Sequence, residues 1–325
     1  MLKKTISLAK FALLGISLAS AQACMASEYP DKPIKMVIPY TPGGSIDTVG
    51  RMVADQLQRQ LGQPIVIENL PGASGVLGSL NVKKAKADGY TLLFNASSQV
   101  YMPLVVAKKT YDAEQDFTPV GQIGYVPLVV AVNNDVPAKS LREFATLARA
   151  NPGKYTWATS GLGTTSHLSE EMINRALKLD MEIIAYKGAV PQLTDVVGGH
   201  VSAAVSPMPG VRSFVQAGRL RALAVTSKTR VANMPDVPTV AESGIPGFEL
   251  LSWYGIWGPA DMPLAVTNRL NAEIAKAVDT PALKAKFAEL SFVPSKSTPE
   301  QFKKLIREDL TKIGQAVKEA NIKID

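Results

Sequence analysis

Apolar positions along this chain fall into short continuous runs that alternate with stretches of helical spacing. Residues 34–39 (IKMVIP) form a first apolar run closed by a proline and read as a buried strand. Pro42-Gly43-Gly44-Ser45 follows, and then Ile46, Val49, Val53, Leu57 and Leu61 recur at helical spacing. Ser45 suits the N-cap of that helix, and Asp47 in its first turn suits the helix dipole. Gly62-Gln63-Pro64 stops the helix, and residues 65–68 read as a second strand. A turn at residues 71–75 leads into a helix running to about residue 87. Asp88-Gly89 then turns the chain into a third strand at residues 90–94.

The alternation continues. Strands are expected at residues 128–132, 156–159, 182–185, 203–205 and 220–226, with helices at 140–150, 165–179, 191–197 and 211–217 between them. An aromatic strand at residues 253–257 precedes helices at 264–278, 281–290 and 299–320. Strand and helix in alternation predict an α/β fold, with mostly parallel sheets flanked by helices. No repeat and no Gly/Ser tether divides the chain. If there are two lobes, the chain must pass between them on strands, near residues 125–130 and again near 250–257, an arrangement that permits hinge closure.

The N-terminus falls outside this pattern. Lys3, Lys4 and Lys10 precede an uncharged apolar run over residues 11–19, followed by small residues up to Ser27. This reads as an export signal, and the run is well short of the roughly 20 residues a membrane span needs. Cleavage near Ala26 is expected, with Ala23 as the rival position. A lipid anchor at Cys24 is the weaker alternative, because Ala21 and Gln22 suit it poorly. Organisation is therefore expected as a signal peptide at 1–26, a first lobe at 27–126 plus 251–325, and a second at 127–250. A mature chain cut after Ala26 holds no cysteine and no disulfide. Removing the three signal lysines lowers the basic count from 35 to 32 against 28 acids, a net charge of +4. The remaining basic residues are scattered, which argues against nucleic-acid binding.

Candidate chemistry lies in loops rather than in charged clusters. In an open parallel sheet, ligands bind at the carboxyl ends of strands, where helix N-termini converge. Residues 40–47 (YTPGGSID), 95–99 (NASSQ), 160–167 (SGLGTTSH) and 206–210 (SPMPG) occupy such ends, rich in Gly, Ser, Thr and Pro. Their glycines allow close approach of backbone N–H groups, and Thr41, Ser45, Ser97, Ser98, Ser160, Thr164, Thr165 and Ser166 supply hydroxyl donors. That set suits a carboxylate without a buried cation. Helix capping alone is the bland reading of each loop, and it weakens when four share one edge.

Enzyme signatures are absent. There is no G-x-G-x-x-G, no Walker lysine and no G-x-S-x-G elbow. His167 and Glu171, four residues apart, could reach a metal from one helix face; His167 more simply caps or packs in the first turn. No metal or cofactor is expected. Lys187 could steer an anion or be solvated. Trp253, Tyr254 and Trp257 fit core packing at the crossover better than a ligand wall.

From residue 29 to near its end, the chain resembles the substrate-binding receptors of tripartite tricarboxylate transporters, the Bug family. The segments are YPDKPIKMVIPYTPGGSID, LGQPIVIENLPGASG, KKAKADGYTLLF, SGLGTTSHLSEEM, AYKGAVPQLTDVVGGHV, GRLRALAVTSKTR, MPDVPTVAESGIPGFE and SWYGIWGPADMP. The resemblance implies a two-lobe periplasmic-binding-protein-like fold with strand crossovers, a small organic carboxylate (di-, tricarboxylate or aromatic acid) in the interlobe cleft, and delivery to inner-membrane transporter subunits. It implies first-lobe contacts from Tyr40, Thr41, Pro42, Gly43, Gly44, Ser45, Asp47, Ala96 and Ser97. From the second lobe it implies Ser160, Gly163, Thr164, Thr165, Ser166 and Tyr186. Relatives often carry an acidic or amide residue where Ser206-Pro207-Met208 stands here, which implies a less polar far end of the ligand. A monomer is expected. The competing readings are an exported α/β hydrolase-like enzyme and a receptor for a membrane signalling partner.

Overall fold

A computed structural model describes residues 29–319 and 321–323; the expected export signal and Cys24 lie outside the described residues. The first unit follows the expected alternation. Strand β1 (Ile34–Ile38) leads to helix α1 (Ser45–Leu61), β2 (Ile65–Asn69), a short 3-10 turn at Ala73–Gly75, α2 (Val76–Lys83) and β3 (Thr91–Ala96). Val49, Val53, Leu57 and Leu61 of α1 form its buried stripe, and Gly62, at φ 68°, closes it by donating to the Gln58 carbonyl at 3.0 Å. β1 lies between β2 and β3 and is parallel to both, with Ile34 opposite Ile65 and Lys35 opposite Thr91. Helix α3 (Ser98–Val105) follows β3 without a break.

Strand β4 (Phe117–Asn133) spans seventeen residues, although only 128–132 read as strand from the sequence. Proline and glycine obscure its first half, where the register slips between Pro119 and Gly121 and between Gln122 and Gly124. Gly124 is required there: at φ 154°, a Cβ would lie 2.3 Å from the Val293 carbonyl of the short strand β10 (Val293–Pro294). From Phe117 to Pro127, β4 pairs antiparallel with β9 (Leu251–Pro259), which in turn pairs with β3. From Leu128 onward it pairs instead with β7 (Ala203–Pro207) and β8 (Leu220–Val225).

The second unit is built around those partners. Helix α4 (Leu141–Ala150), β5 (Thr156–Thr159), α5 (Thr165–Leu177), β6 (Glu182–Ala185), α6 (Ala189–Val197) and α7 (Met208–Gln216) complete it, with β5 parallel to both β6 and β7. Helices α8 (Leu264–Asp279), α9 (Pro281–Glu289) and α10 (Pro299–Glu319) return to the first unit. The result is the expected two-lobe α/β fold with strand crossovers. Trp157 and Phe144 anchor the second lobe, and Trp253, Trp257 and Phe302 anchor the first. Helix α10 is tied to the core by Asp309, which accepts from Tyr101 Oη and Trp253 Nε1, each at 2.6 Å. Among the described residues, no helix is long and apolar enough to cross a membrane.

Candidate binding site

Five strand ends, those of β1, β3, β5, β6 and β7, feed directly into α1, α3, α5, α6 and α7. Each helix therefore presents its N-terminal N–H groups and positive dipole end toward the space between the lobes. The loops of the two lobes meet there. Ser97 Oγ lies 2.8 Å from Thr165 Oγ1, and the Leu162 N–H donates to Ser74 Oγ at 2.9 Å.

The first loop is held by one carboxylate. Asp47 Oδ2 accepts from the Gly43 N–H and from Arg51 Nε, both at 2.9 Å, and its Oδ1 accepts from Asn69 Nδ2 at 2.9 Å. Burial opposes ionisation of Asp47, but the bonds from Arg51, Gly43 and Asn69 together hold its carboxyl below the ordinary value. This bracing moves the helix cap. Gly44, not Ser45, is the N-cap, with extended backbone (φ −76°, ψ 173°), and Ser45 is the first helical residue. Its hydroxyl is released from capping. Tyr40 is also consumed internally, donating to Ser98 Oγ at 3.1 Å and to the Ser74 carbonyl at 3.2 Å.

The second-lobe loop is held by His167. Nδ1 of this buried imidazole accepts from the Gly163 N–H at 3.3 Å, and the His167 N–H is capped by Thr164 Oγ1 at 3.2 Å. Its Nε2 faces Glu171 Oε1 at 3.7 Å, yet burial dominates and pushes the imidazole down to about 4. The ring is therefore neutral near pH 7, as Nδ1 acceptance requires. Because the folded value lies below the ordinary 6.5, the resulting stability is complete above that pH and is lost as pH falls toward 4. About 3 kcal/mol is at stake. Thermal unfolding of wild type and His167→Gln at pH 7 and pH 4.5 is expected to show a steeper acid loss in the wild type. Parallel loss in both proteins would contradict this role.

The cavity between these loops has a volume of about 40 Å³. That is a narrow slot, with room for roughly three or four water-sized groups. Tyr40, Thr41, Gly44, Ser45, Asp47 and Ala96 line it from the first lobe. Ser160, Thr164, Thr165 and Ser166 line it from the second. All of these are expected from the sequence. Pro42, Gly43, Ser97, Gly163 and Tyr186 do not form the wall. Gly43, Ser97 and Gly163 instead hold its loops, and the Tyr186 hydroxyl is turned to Asp195 Oδ2 at 2.7 Å. Ser98, a hydroxyl donor expected from the sequence, also lines it, and Ile46, Ala189, Pro207, Ser252 and Tyr254 complete the wall without being among the contacts that the sequence implies. The SPMPG loop is a usable signal for Pro207; Tyr254 reads as core.

No lysine or arginine lines the cavity. Four buried hydroxyls in or beside it, Thr41 Oγ1, Ser45 Oγ, Ser206 Oγ and Tyr254 Oη, make no well-formed hydrogen bond in the protein, although Ser45 and Ser252 come close enough to the Tyr254 phenol to ease its ionisation. Each such group costs about 1–3 kcal/mol if left unmet. All four lie in or next to a cleft onto which helix N-termini open.

Comparison with known proteins agrees with this chemistry. The profile of the tripartite tricarboxylate transporter family receptor matches residues 49–322. This chain belongs to that family. It is 35% identical to the protein BugT of Bordetella pertussis over 321 residues, covering 96% of this chain and 98% of that one. The structure of R. palustris Rpa4515 with adipate superposes with a TM-score of 0.88 at 30% identity, covering 90% of this chain and 99% of the other. MatC from Rhodopseudomonas palustris, with bound malate, superposes at 0.84 with 29% identity, covering 89% and 100%. The tricarboxylate-receptor family is one of solute-binding receptors, which replaces the hydrolase reading with a binding role. Among the described residues, no group of three His, Cys, Asp or Glu side chains could hold a metal ion.

Proposed function

We propose that this receptor captures a small organic carboxylate between its lobes in the periplasm and delivers it to the membrane subunits of a tripartite tricarboxylate-type transporter. The observation that carries the reading is the set of four buried hydroxyls without a well-formed hydrogen bond, in or next to a cleft that contains helix N-termini and no cationic side chain. Such a site stabilises an anion with fixed dipoles and avoids burying an unpaired ammonium or guanidinium. Adipate and malate in the two related structures are small dicarboxylates, which supports the carboxylate reading at the level of the functional group.

In this proposal the export signal at 1–26 is removed near Ala26 and the mature receptor acts as a monomer. The lobes comprise 27–126 plus 251–325 and 127–250. The switch of β4 from β9 to β7 between Pro127 and Leu128 supports that division. Closure is then a hinge motion about β4 and β9, which brings the loops of residues 40–47 and 160–166 onto the ligand.

Thermal-shift screening of ligand-stripped protein against mono-, di- and tricarboxylates, sugars and cations tests the reading. A carboxylate at about 100 times its Kd is expected to stabilise the protein by roughly 2.7 kcal/mol. A response to sugars or cations with none to any acid would defeat it.

A further inference from the structure

Ser45, Ser206 and Tyr254 come from α1, β7 and β9 and are 4%, 0% and 0% exposed. Ser45 and Tyr254 belong to the cavity wall, and Ser206 directly precedes Pro207 of that wall. A Cβ placed on Gly210 would lie 3.7 Å from Ser45 Oγ and 3.8 Å from Ser206 Oγ, so both hydroxyls flank the first turn of α7. Tyr254 lines the same cavity as Ser45. Burial pushes its phenol up to about 12, with Ser45 and Ser252 beside it moderating the rise, so it remains protonated.

The donor supply here differs from that at the loop of residues 40–47. The first turn of α7 runs Pro207-Met208-Pro209-Gly210, and its two prolines carry no N–H. Helix α1 opens with Gly44-Ser45-Ile46-Asp47, in which every residue has one. The subsite beside α7 therefore consists mainly of neutral hydroxyls, which both donate and accept. It lacks the density of N–H groups that a second carboxylate needs. Charge points the same way. Asp47, held ionised by its partners, already lines the slot, and its one cationic partner, Arg51, is half-exposed and engaged with it. A dianion would add two negative charges beside that carboxylate with no free cation in the wall.

We infer that the part of the cleft formed by Ser45, Ser206 and Tyr254 is a subsite for a single uncharged oxygen, and that the substrate class is a short monocarboxylic acid bearing a hydroxyl or carbonyl group remote from its carboxylate. The inference rests on the carboxylate reading above.

The test is calorimetric titration of ligand-stripped protein with three matched series of three, four and five carbons. Each series holds the ω-hydroxy acid, the plain alkyl acid and the α,ω-diacid; in the four-carbon case these are 4-hydroxybutyrate, butyrate and succinate. The hydroxy acid of the best-fitting length is expected to bind about tenfold more tightly than either partner in its series. Ser206→Ala and Tyr254→Phe are each expected to weaken the hydroxy acid about tenfold more than the alkyl acid. Tightest binding by the diacid, or equal weakening of all three acids in both variants, would overturn the subsite while leaving the carboxylate reading intact. Binding of none of the nine acids by protein with a normal unfolding transition would overturn both.

Discussion

Replacing Gly188 with alanine is expected to weaken carboxylate binding by roughly 30- to 100-fold while the protein remains folded. Gly188 is the N-cap of α6, at φ 135° and ψ 174°, a conformation open essentially to glycine alone. An added Cβ would lie 2.5 Å from Thr41 Oγ1, across the interface between the lobes. The methyl group therefore has two effects. It strains the turn by about 1–3 kcal/mol, and it displaces one of the hydroxyls left open for the ligand. Gly218→Ala is the matched control. Gly218 also has positive φ, at 65°, but a Cβ added there would meet no atom within 4 Å, so strain comes without a clash in the cleft. Titration of both variants separates the effects. Wild-type affinity in Gly188→Ala would show that the Thr41–Gly188 contact has no part in ligand capture.

The second large effect is expected on stability. Asp47→Ala removes the acceptor for the Gly43 N–H, for Asn69 and for Arg51 together. The half-buried Gly43 N–H loses its acceptor and the Asn69 amide keeps only the Tyr40 carbonyl, at an expected cost of about 2–4 kcal/mol with the loss of the Arg51 pairing. That corresponds to a fall in Tm of roughly 3–6 °C for a chain of this size. Arg51→Ala is expected to cost under about 1 kcal/mol, because its guanidinium lies at the surface; its side chain is 51% exposed against 5% for Asp47. The asymmetry distinguishes a brace for the loop from a surface ion pair. Equal stability of Asp47→Ala and wild type in thermal unfolding would remove Asp47 from that role.

Much of the fold is legible in the amino-acid sequence, and the parts that are not have physical reasons. The stripe Val49, Val53, Leu57 and Leu61 identifies α1 because one face is buried and the other wet. Helix α3 has no such stripe. Seven of its eight residues are buried, including Ser98, Gln99 and Pro103, so no polar face marks its period. The first half of β4 is held by pairing with β9 and β10, more than a hundred residues away, and its own proline and glycines read as loop.

The site divides in the same way. Loops that supply donors announce themselves by glycine and hydroxyl content, which is why eleven of the expected residues line the cavity. The remaining wall comes from strand ends whose meeting depends on tertiary structure. Tyr254 packs edge-on against Phe292 at 5.2 Å between ring centroids, a core contact, while its hydroxyl reaches the cleft. Aromatic content alone signals only the former. Tyr186 is the converse: its motif suggests the site, but Asp195 on the following helix takes its hydroxyl. The capping role expected of Ser45 passes to Gly44 because Asp47 fixes the loop from within the helix. A capping serine would have spent the hydroxyl that now lies in the cavity wall.

A crystal structure of protein purified without ligand exchange tests the dipole-held anion most directly. The expected density is a small acid whose carboxylate lies between residues 41–45 and 164–166, within hydrogen-bond distance of their N–H and hydroxyl groups and of no lysine or arginine. A metal ion, a nucleotide or a sugar in that position, or an acid gripped by a cationic side chain, would contradict it.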